Sequence, residues 1–158
     1  MLGMGVKSGI VIAGGDLITW GAPEVGKSWP IGIANPENSR ESIAWFEIGE
    51  MAVVTSGDYE RFAMIDNVRY GHILDPRTCL PASGLKSVTI VCPDAEIADA
   101  LATSVYVLGL DKGMSLVNQL KGVECVMIDS NNTFHTSTNL VLNMQTYNEK
   151  HLITIGKK

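Results

Sequence analysis

The chain has 158 residues, 46% of them hydrophobic and 18% charged, and its 17 acidic against 12 basic residues give a formal net charge of −5. This length predicts a single domain, residues 1–158, and the composition supplies a core and excludes intrinsic disorder. The acidic balance argues against nucleic acid as a partner. No apolar stretch reaches the roughly 20 residues that cross a bilayer, and the first residues show no secretory signal pattern.

Short strands separated by turn residues fill the first half of the sequence. The expected strands are 10–13, 17–20, 29–34, 43–48, 51–55, 62–65 and 68–72. Gly14-Gly15 forms the first bend, and Gly49-Glu50 and Asp66-Asn67 are each short enough to close a hairpin. Asp and Asn tolerate the positive φ that a type I′ turn requires. The first half therefore reads as a series of hairpins.

The second half opens with an irregular loop at 75–81, which two prolines enforce, and continues with helices and strands. The expected helices are 95–108, with Asp94 as N-cap and Gly109 as its end, and 111–120. The expected strands are 88–91, 123–128, 133–140 and 152–155. This order predicts an α+β domain in which an antiparallel sheet of hairpins carries two helices packed on one face.

The sequence contains three cysteines, Cys79, Cys92 and Cys125, an odd number, and no two of them are separated by only a few residues. The pattern therefore indicates neither a disulfide framework nor a zinc site. We expect small buried hydrophobic residues, with Cys79 set apart by the loop in which it stands.

The helix at 95–108 is apolar nearly all round, so we expect it to be buried. Asp99 would then be a buried carboxylate, which needs a hydrogen bond, an ion pair or a metal. Thr103 lies four residues on, on the same helix face, and two hard oxygen ligands at this spacing suit Mg²⁺ or Ca²⁺. The alternative is a structural Asp99 bonded to a backbone N–H, with Thr103 bonded back to its own helix.

Four further features of the sequence suit a binding or catalytic role. His72 stands before the rigid loop, where a scaffold can hold a proton-transfer group, and Arg77 in that loop can contact phosphate with two parallel hydrogen bonds. Gly14-Gly15-Asp16 is suited to an anion-binding backbone nest, and Tyr59 to stacking on a flat cofactor ring. The alternatives are a structural His, a solvated Arg, an ordinary bend and a Tyr that covers the core.

Five segments, in this order, resemble the C-terminal half of the FAD:protein FMN transferase (ApbE) family, also called the thiamine-biosynthesis lipoprotein family. The segments are Gly14-Gly15-Asp16, the 29–36 stretch Trp-Pro-Ile-Gly-Ile-Ala-Asn-Pro, the 52–59 stretch Ala-Val-Val-Thr-Ser-Gly-Asp-Tyr, the 72–78 stretch His-Ile-Leu-Asp-Pro-Arg-Thr and the 98–103 stretch Ala-Asp-Ala-Leu-Ala-Thr. The resemblance implies a T-fold-like domain and a Mg²⁺-dependent enzyme. Such an enzyme transfers FMN from FAD to a Thr hydroxyl of a flavoprotein subunit and releases AMP.

The resemblance also implies roles for single residues. Asp99 and Thr103 fall on the family's metal ligands. His72 falls on a residue that is either a general base toward the acceptor hydroxyl or a donor to the phosphoryl group, and Arg77 is placed to assist the phosphates. The remaining matched positions are expected beside the flavin nucleotide: Gly14, Gly15, Asp16, Ser56, Tyr59, Asp75 and Thr78. Of these, Asp75 and Thr78 are expected to shape the loop after His72.

The chain departs from the family pattern at several points. Cys79 stands where the family has Gly, and a positive φ there would cost on the order of 1 kcal/mol. Gly71 stands where many members carry a second His. Family members are longer, and upstream segments that contribute to the FAD site have no counterpart in this sequence.

These departures leave alternatives for function and partners. The chain is expected to hold part of a transferase site or, alternatively, to be a non-catalytic flavin-binding or structural fragment. Its partners would be a flavoprotein acceptor and either the missing N-terminal half or a second copy. The resemblance places the protein in the bacterial cell envelope.

Overall fold

The computed structural model describes residues 2–36, 38, 41–58, 62–144 and 153–155. A short 3-10 turn, Leu2–Met4, precedes the strands and helices. These are β1 (Gly9–Ala13), β2 (Asp16–Trp20), β3 (Trp29–Ala34), β4 (Ser42–Ile48), β5 (Ala52–Gly57), β6 (Phe62–Ile65), β7 (Val68–Gly71), β8 (Leu74–Asp75), β9 (Leu80–Pro81), β10 (Leu85–Cys92), α1 (Ala95–Leu108), α2 (Leu110–Val117), β11 (Glu124–Asp129), β12 (Phe134–Thr136) and β13 (Ile153–Ile155). Among the described residues, no helix is long and apolar enough to cross a membrane.

Two sheets form the framework. The larger has six strands in the order β1-β2-β5-β10-β11-β12, and every neighbouring pair in it is antiparallel. The smaller has the order β13-β3-β4, and β13 runs parallel to β3. Strand pairs β6–β7 and β8–β9 form two separate ribbons. The predicted α+β class with a mainly antiparallel sheet is confirmed.

The central strands of the six-stranded sheet, β5, β10 and β11, are buried on both faces. Side chains of a strand alternate between faces, so Val88 and Ile90 of β10 face the helices, whereas Val91 faces the smaller sheet. Cys125 and Val126 of β11 divide in the same way. The result is three layers, helices, large sheet and small sheet, with one apolar core in each gap.

Helix α1 occupies the predicted 95–108 range. The Asp94 carboxylate caps it by accepting hydrogen bonds from the N–H groups of Glu96 and Ile97, and Gly109, at φ 78°, follows its last residue. This matches the predicted cap and stop. The second helix ends at Val117, three residues earlier than predicted.

The prediction that α1 is buried on all sides is wrong. Ala98, Ala102 and Val105 are buried against the six-stranded sheet, but Ile97 is 53% exposed and Asp99 lies on the exposed side. One side of the helix faces the sheet and α2 covers only part of the remainder, so an apolar composition does not bury every face. Asp99 is therefore an exposed carboxylate and not the buried one that was predicted.

The predicted hairpin around Gly49-Glu50 is also wrong, because β4 pairs with β3 and β5 joins the other sheet. Here the chain crosses from one layer to the next. The Thr19 hydroxyl of β2 lies 2.6 Å from the Gly49 carbonyl oxygen and 3.0 Å from that of Met51, which fastens the crossing to β2.

The other short turns follow the sequence. Asp66 and Asn67 have φ of 49° and 61° and close the β6–β7 hairpin as a type I′ turn would. The β1–β2 and β11–β12 hairpins also form, although β12 is shorter than predicted. Cys92 and Cys125 are buried as expected, whereas Cys79 is exposed. Burial raises the pKa of the Cys125 thiol to about 12.

Candidate functional site

The candidate site lies where β5 ends against α1. Ser56 follows Ala52 and Val54 on the helix-facing side of β5, and its side chain is buried. The hydroxyl oxygens of Ser56 and Thr103 are 3.2 Å apart, a hydrogen bond between residues 47 positions apart in the sequence. This contact places the middle of α1 beside the end of β5.

Asp99 and Thr103 lie one helical turn apart on the exposed side of α1. The Asp99 carboxylate makes no hydrogen bond or ion pair with any residue that the structure describes. The alternative in which a backbone N–H satisfies Asp99 therefore does not hold within this part of the chain. The carboxylate is open to a ligand that approaches from solvent.

Two residues that the sequence analysis did not single out lie at the same place. Tyr106, three residues after Thr103, is buried, and burial together with the negative charge of Asp58 raises the pKa of its phenol. Asp58 directly follows β5, and its backbone N–H donates to the Lys86 carbonyl at 3.2 Å. The spacing 99, 103, 106 follows one helix face, and this periodicity was the available signal for Tyr106.

His72 is exposed between β7 and β8. The preceding residue, Gly71, packs beside Asp58, because a Cβ at position 71 would lie 3.4 Å from the Asp58 Cβ. The segment that carries His72 therefore starts next to the end of β5. Ile73, on its other side, is buried in the helix-side core and anchors it.

The loop after His72 is held by its own hydrogen bonds. The Asp75 carbonyl accepts from the N–H groups of Thr78 and Cys79 at 3.2 and 2.8 Å, and the Thr78 hydroxyl accepts from the Leu80 N–H at 3.3 Å. Asp75 and Thr78 thus shape the loop, as predicted. Cys79 has a φ of 57°, so this position does require the left-handed conformation that glycine adopts without strain.

Arg77 lies in the same loop, and its guanidinium is engaged within the protein. Its Nε and Nη2 atoms donate to the Asp75 carboxylate, and Nη2 also donates to the Val107 carbonyl. This ion pair lowers the pKa of Asp75, mainly through the hydrogen bond between the two side chains. Contact between Arg77 and phosphate stays a prediction.

The β1–β2 turn lies at the same end of the large sheet as the last residues of β5. Gly14 and Gly15 have φ of 64° and 109°. Leu17 of β2 is paired with Val53 of antiparallel β5, so the residues before Leu17 point toward the end of β5 where Ser56 lies. The structure thus brings Gly14, Gly15 and Asp16 to the end of the sheet at which Ser56 contacts Thr103 of α1. Tyr59 lies outside the described residues.

A groove of about 530 Å³ lies elsewhere, between α2 and β12, and is lined by residues that include Asp111, Met114, Ser115 and His135. It contains none of the predicted site residues. The assignment of the candidate site therefore depends on the chemistry of its side chains and not on this groove.

The donor groups of the site fit Mg²⁺ in one particular way. Mg²⁺ prefers oxygen ligands and is usually held by one or two carboxylates together with substrate phosphates and water. The Asp99 carboxylate lies one turn from the paired hydroxyls of Thr103 and Ser56, all of them hard oxygen donors. Within the described ranges, no group of three or more His, Cys, Asp or Glu side chains is placed to hold a metal. The set therefore fits a cation shared with a phosphate-bearing ligand.

Comparison with known proteins gives one consistent result. A Treponema pallidum protein named FAD:protein FMN transferase is 39% identical over 115 residues, which are 72% of this chain and 32% of that protein. A Vibrio cholerae protein of the same name is 35% identical over 129 residues, 79% of this chain and 39% of that protein. The chain thus spans well under half the length of these curated relatives.

Solved structures agree with the sequence comparison. The ApbE protein of Thermotoga maritima has a TM-score of 0.73 and 41% identity, over 82% of this chain and 42% of that one. The flavin transferase ApbE of Vibrio cholerae has a TM-score of 0.71 and 30% identity, over 87% of this chain and 44% of that one. The sequence pattern of the ApbE family matches residues 1–127. The chain therefore belongs to the ApbE family.

Proposed function

We propose that this chain carries part of an active site that transfers FMN from FAD to a threonine hydroxyl of a flavoprotein acceptor, with Mg²⁺ bound and with release of AMP. The observation that carries the proposal is the contact of Thr103 with Ser56 at the end of β5, with Asp99 one turn away. The curated relatives named FAD:protein FMN transferase support it. The metal, the acceptor group and the leaving group rest on the family resemblance and on the donor chemistry of the site.

In the proposed reaction, the acceptor hydroxyl oxygen bonds to the phosphorus of the FMN part of FAD. The bond from that phosphorus to the bridging oxygen breaks, and AMP leaves with this oxygen. A cation held by Asp99 and Thr103 would neutralise negative charge on the pyrophosphate. Removal of the hydroxyl proton falls to a base of the protein, and we assign it to His72, which is exposed on the loop beside β5.

The nucleotide itself would lie at the end of the large sheet, between the β1–β2 turn and the end of β5. Successive backbone N–H groups in a left-handed turn such as Gly14-Gly15 form a concave donor surface for anions. Ser56 is buried at this end of the sheet, and its hydroxyl is held by Thr103. We propose that these groups bind the flavin nucleotide without taking part in the proton transfer.

The first experiment measures FAD binding and AMP release by this chain with and without Mg²⁺. We expect Mg²⁺-dependent FAD binding and slow turnover. Because the chain spans well under half of its relatives, we expect turnover to rise when the preceding segment of a family relative is added as a separate chain. Rapid turnover by this chain alone would contradict the need for that segment, and Mg²⁺-independent binding would contradict the proposed site.

A second experiment separates the two roles of His72. His72→Gln keeps a hydrogen-bond donor but removes the imidazole base, whereas His72→Ala removes both. If His72 is the base, we expect both variants to lose about 100-fold or more in transfer rate. Retention of most of the rate by His72→Gln alone would show that His72 acts as a donor to the phosphoryl group. FAD binding serves as the control that both variants are folded.

The edge strand β1 bears on association. Val11 is 41% exposed and Ile12 is 56% exposed on this strand, which pairs on one side only among the residues that the structure describes. Exposed apolar edge strands favour pairing with another chain. We propose that this chain self-associates, and sedimentation that shows a monomer at every concentration would contradict this.

A further inference from the structure

Arg77 joins two parts of the site that are distant in sequence. Its Nε lies 2.8 Å from Oδ1 of Asp75, and its Nη2 lies 2.7 Å from Oδ2 of Asp75 and 3.0 Å from the carbonyl oxygen of Val107. The contact with Asp75 is the planar two-bond geometry that only a guanidinium provides. One side chain therefore fastens the 75–79 loop to the last turn of α1.

The loop side of this contact is held by further hydrogen bonds. Oδ1 of Asp75 accepts from the backbone N–H of Arg77 at 2.9 Å, and the Asp75 carbonyl accepts from Thr78 and Cys79. The carboxylate thus belongs to a tight turn and is not a loose surface group. The same carboxylate therefore takes part in both the turn and the ion pair.

The helix side explains why a cation is favourable there. The last carbonyl groups of a helix lack intrahelical partners and carry the negative end of the helix dipole. The last turn of α1 contains no basic residue of its own. Arg77, 30 positions away from Val107, supplies the missing cation from the loop.

We propose that Arg77 is a positioning residue and does not contact the phosphates of FAD. It clamps the 75–79 loop to α1, and so fixes the position of the preceding His72 relative to Asp99 and Thr103. The proposal deepens the proposed function and rests on it for the roles of His72, Asp99 and Thr103. The ion pair is exposed, so its effect on global stability is small, as for most surface pairs. Its effect on the site is larger, because small displacements of reacting groups lower rates strongly.

Hydrogen exchange tests the clamp without any need for turnover. The variants are Arg77→Lys and Arg77→Met, and Lys112→Met on α2 is the charge-matched control, since Lys112 is exposed outside the site. We expect the Thr78 and Cys79 amides to exchange at least tenfold faster in both Arg77 variants and to be unchanged in the control. Unchanged exchange in the Arg77 variants would overturn the clamp.

FAD binding and the His72 signal distinguish positioning from phosphate contact. We expect the FAD dissociation constant to change less than twofold in Arg77→Lys, while the NMR signal of the His72 ring shifts or broadens and the transfer rate falls about tenfold. A loss of FAD affinity of tenfold or more with the exchange rates unchanged would identify a phosphate ligand and overturn the proposal. If the unchanged chain binds no FAD, the proposed function fails, and the exchange and ring signals still decide the clamp.

Discussion

Helix α1 carries two aspartates in contrasting settings. Asp94 accepts hydrogen bonds from two backbone N–H groups of the first turn, whereas Asp99, five residues later, makes none with the described residues. A carboxylate satisfied by backbone donors stabilises the helix, and one left open beside two hydroxyl groups is available to a ligand. The role open to each aspartate is thus decided by its partners and not by the apolar character of the helix.

The largest expected effect separates the two aspartates by function. Asp99→Asn keeps the shape of the side chain but removes its charge, so we expect loss of the Mg²⁺ dependence of FAD binding and a fall in transfer rate of about 100-fold, or about 2.7 kcal/mol in the barrier. The melting temperature should not change. Asp111→Asn, an exposed aspartate on α2, is the matched control. A comparable loss in Asp111→Asn would show that general negative charge, not a site, attracts the cation.

The complementary change affects stability alone. Asp94→Ala removes the N-cap and should lower the free energy of unfolding by about 1 kcal/mol, whereas Asp94→Asn retains a capping oxygen and should cost much less. Chemical denaturation measures both. We expect the folded fraction of each variant to keep its Mg²⁺-dependent FAD affinity, and a loss of affinity in Asp94→Asn would remove the distinction between the two aspartates.

A change at Cys79 in the 75–79 loop is expected to raise the free energy of unfolding instead of lowering it. Cys79 has a φ of 57°, so Cys79→Gly should relieve strain and raise the free energy of unfolding, by up to about 1 kcal/mol less the entropy that glycine adds to the unfolded chain. Cys79→Ala keeps the Cβ and serves as control, with little change expected. A destabilised Cys79→Gly would show that the thiol makes a contact worth more than the strain.

The smallest effect concerns pH. The hydrogen bond from His135, together with the Thr133 and Asn131 N–H groups, lowers the pKa of Asp129 below its ordinary value. A carboxyl group with a lowered folded-state pKa contributes stability above its unfolded value of about 3.9, and this contribution is lost as the pH falls through the folded value. Melting temperatures measured from about pH 5 downward should therefore fall less steeply in Asp129→Asn. An equally steep fall would assign the acid sensitivity to other groups, including Asp75.

Local features of the fold followed from local sequence. Asp94, Gly109 and the Asp66-Asn67 turn were all predicted, because caps and tight turns are decided by neighbouring residues. The Gly49-Glu50 hairpin failed for the opposite reason. Strand β4 pairs with β3 instead of β5, and the crossing to β5 is held by Thr19, which is remote in sequence.

The site divides in the same way. The shared face of Asp99 and Thr103 follows from helical spacing, but their exposure depends on which side of α1 the sheet covers. The contact between Ser56 and Thr103 and the bond from Arg77 to Val107 join residues that are distant in the chain. No local pattern contains such pairs, so the sequence could name candidate residues but not the contacts between them, nor the neighbours Asp58 and Tyr106.

Cys79 has a practical consequence beyond strain. Of the three thiols, Cys92 and Cys125 are buried and burial raises the pKa of both, so neither reacts readily, whereas Cys79 is exposed in the 75–79 loop. A thiol-reactive fluorophore or spin label should therefore attach at this one position of the unaltered sequence. The chain thus has a natural attachment point for a reporter beside its candidate site, with which the proposed binding of FAD can be tested directly.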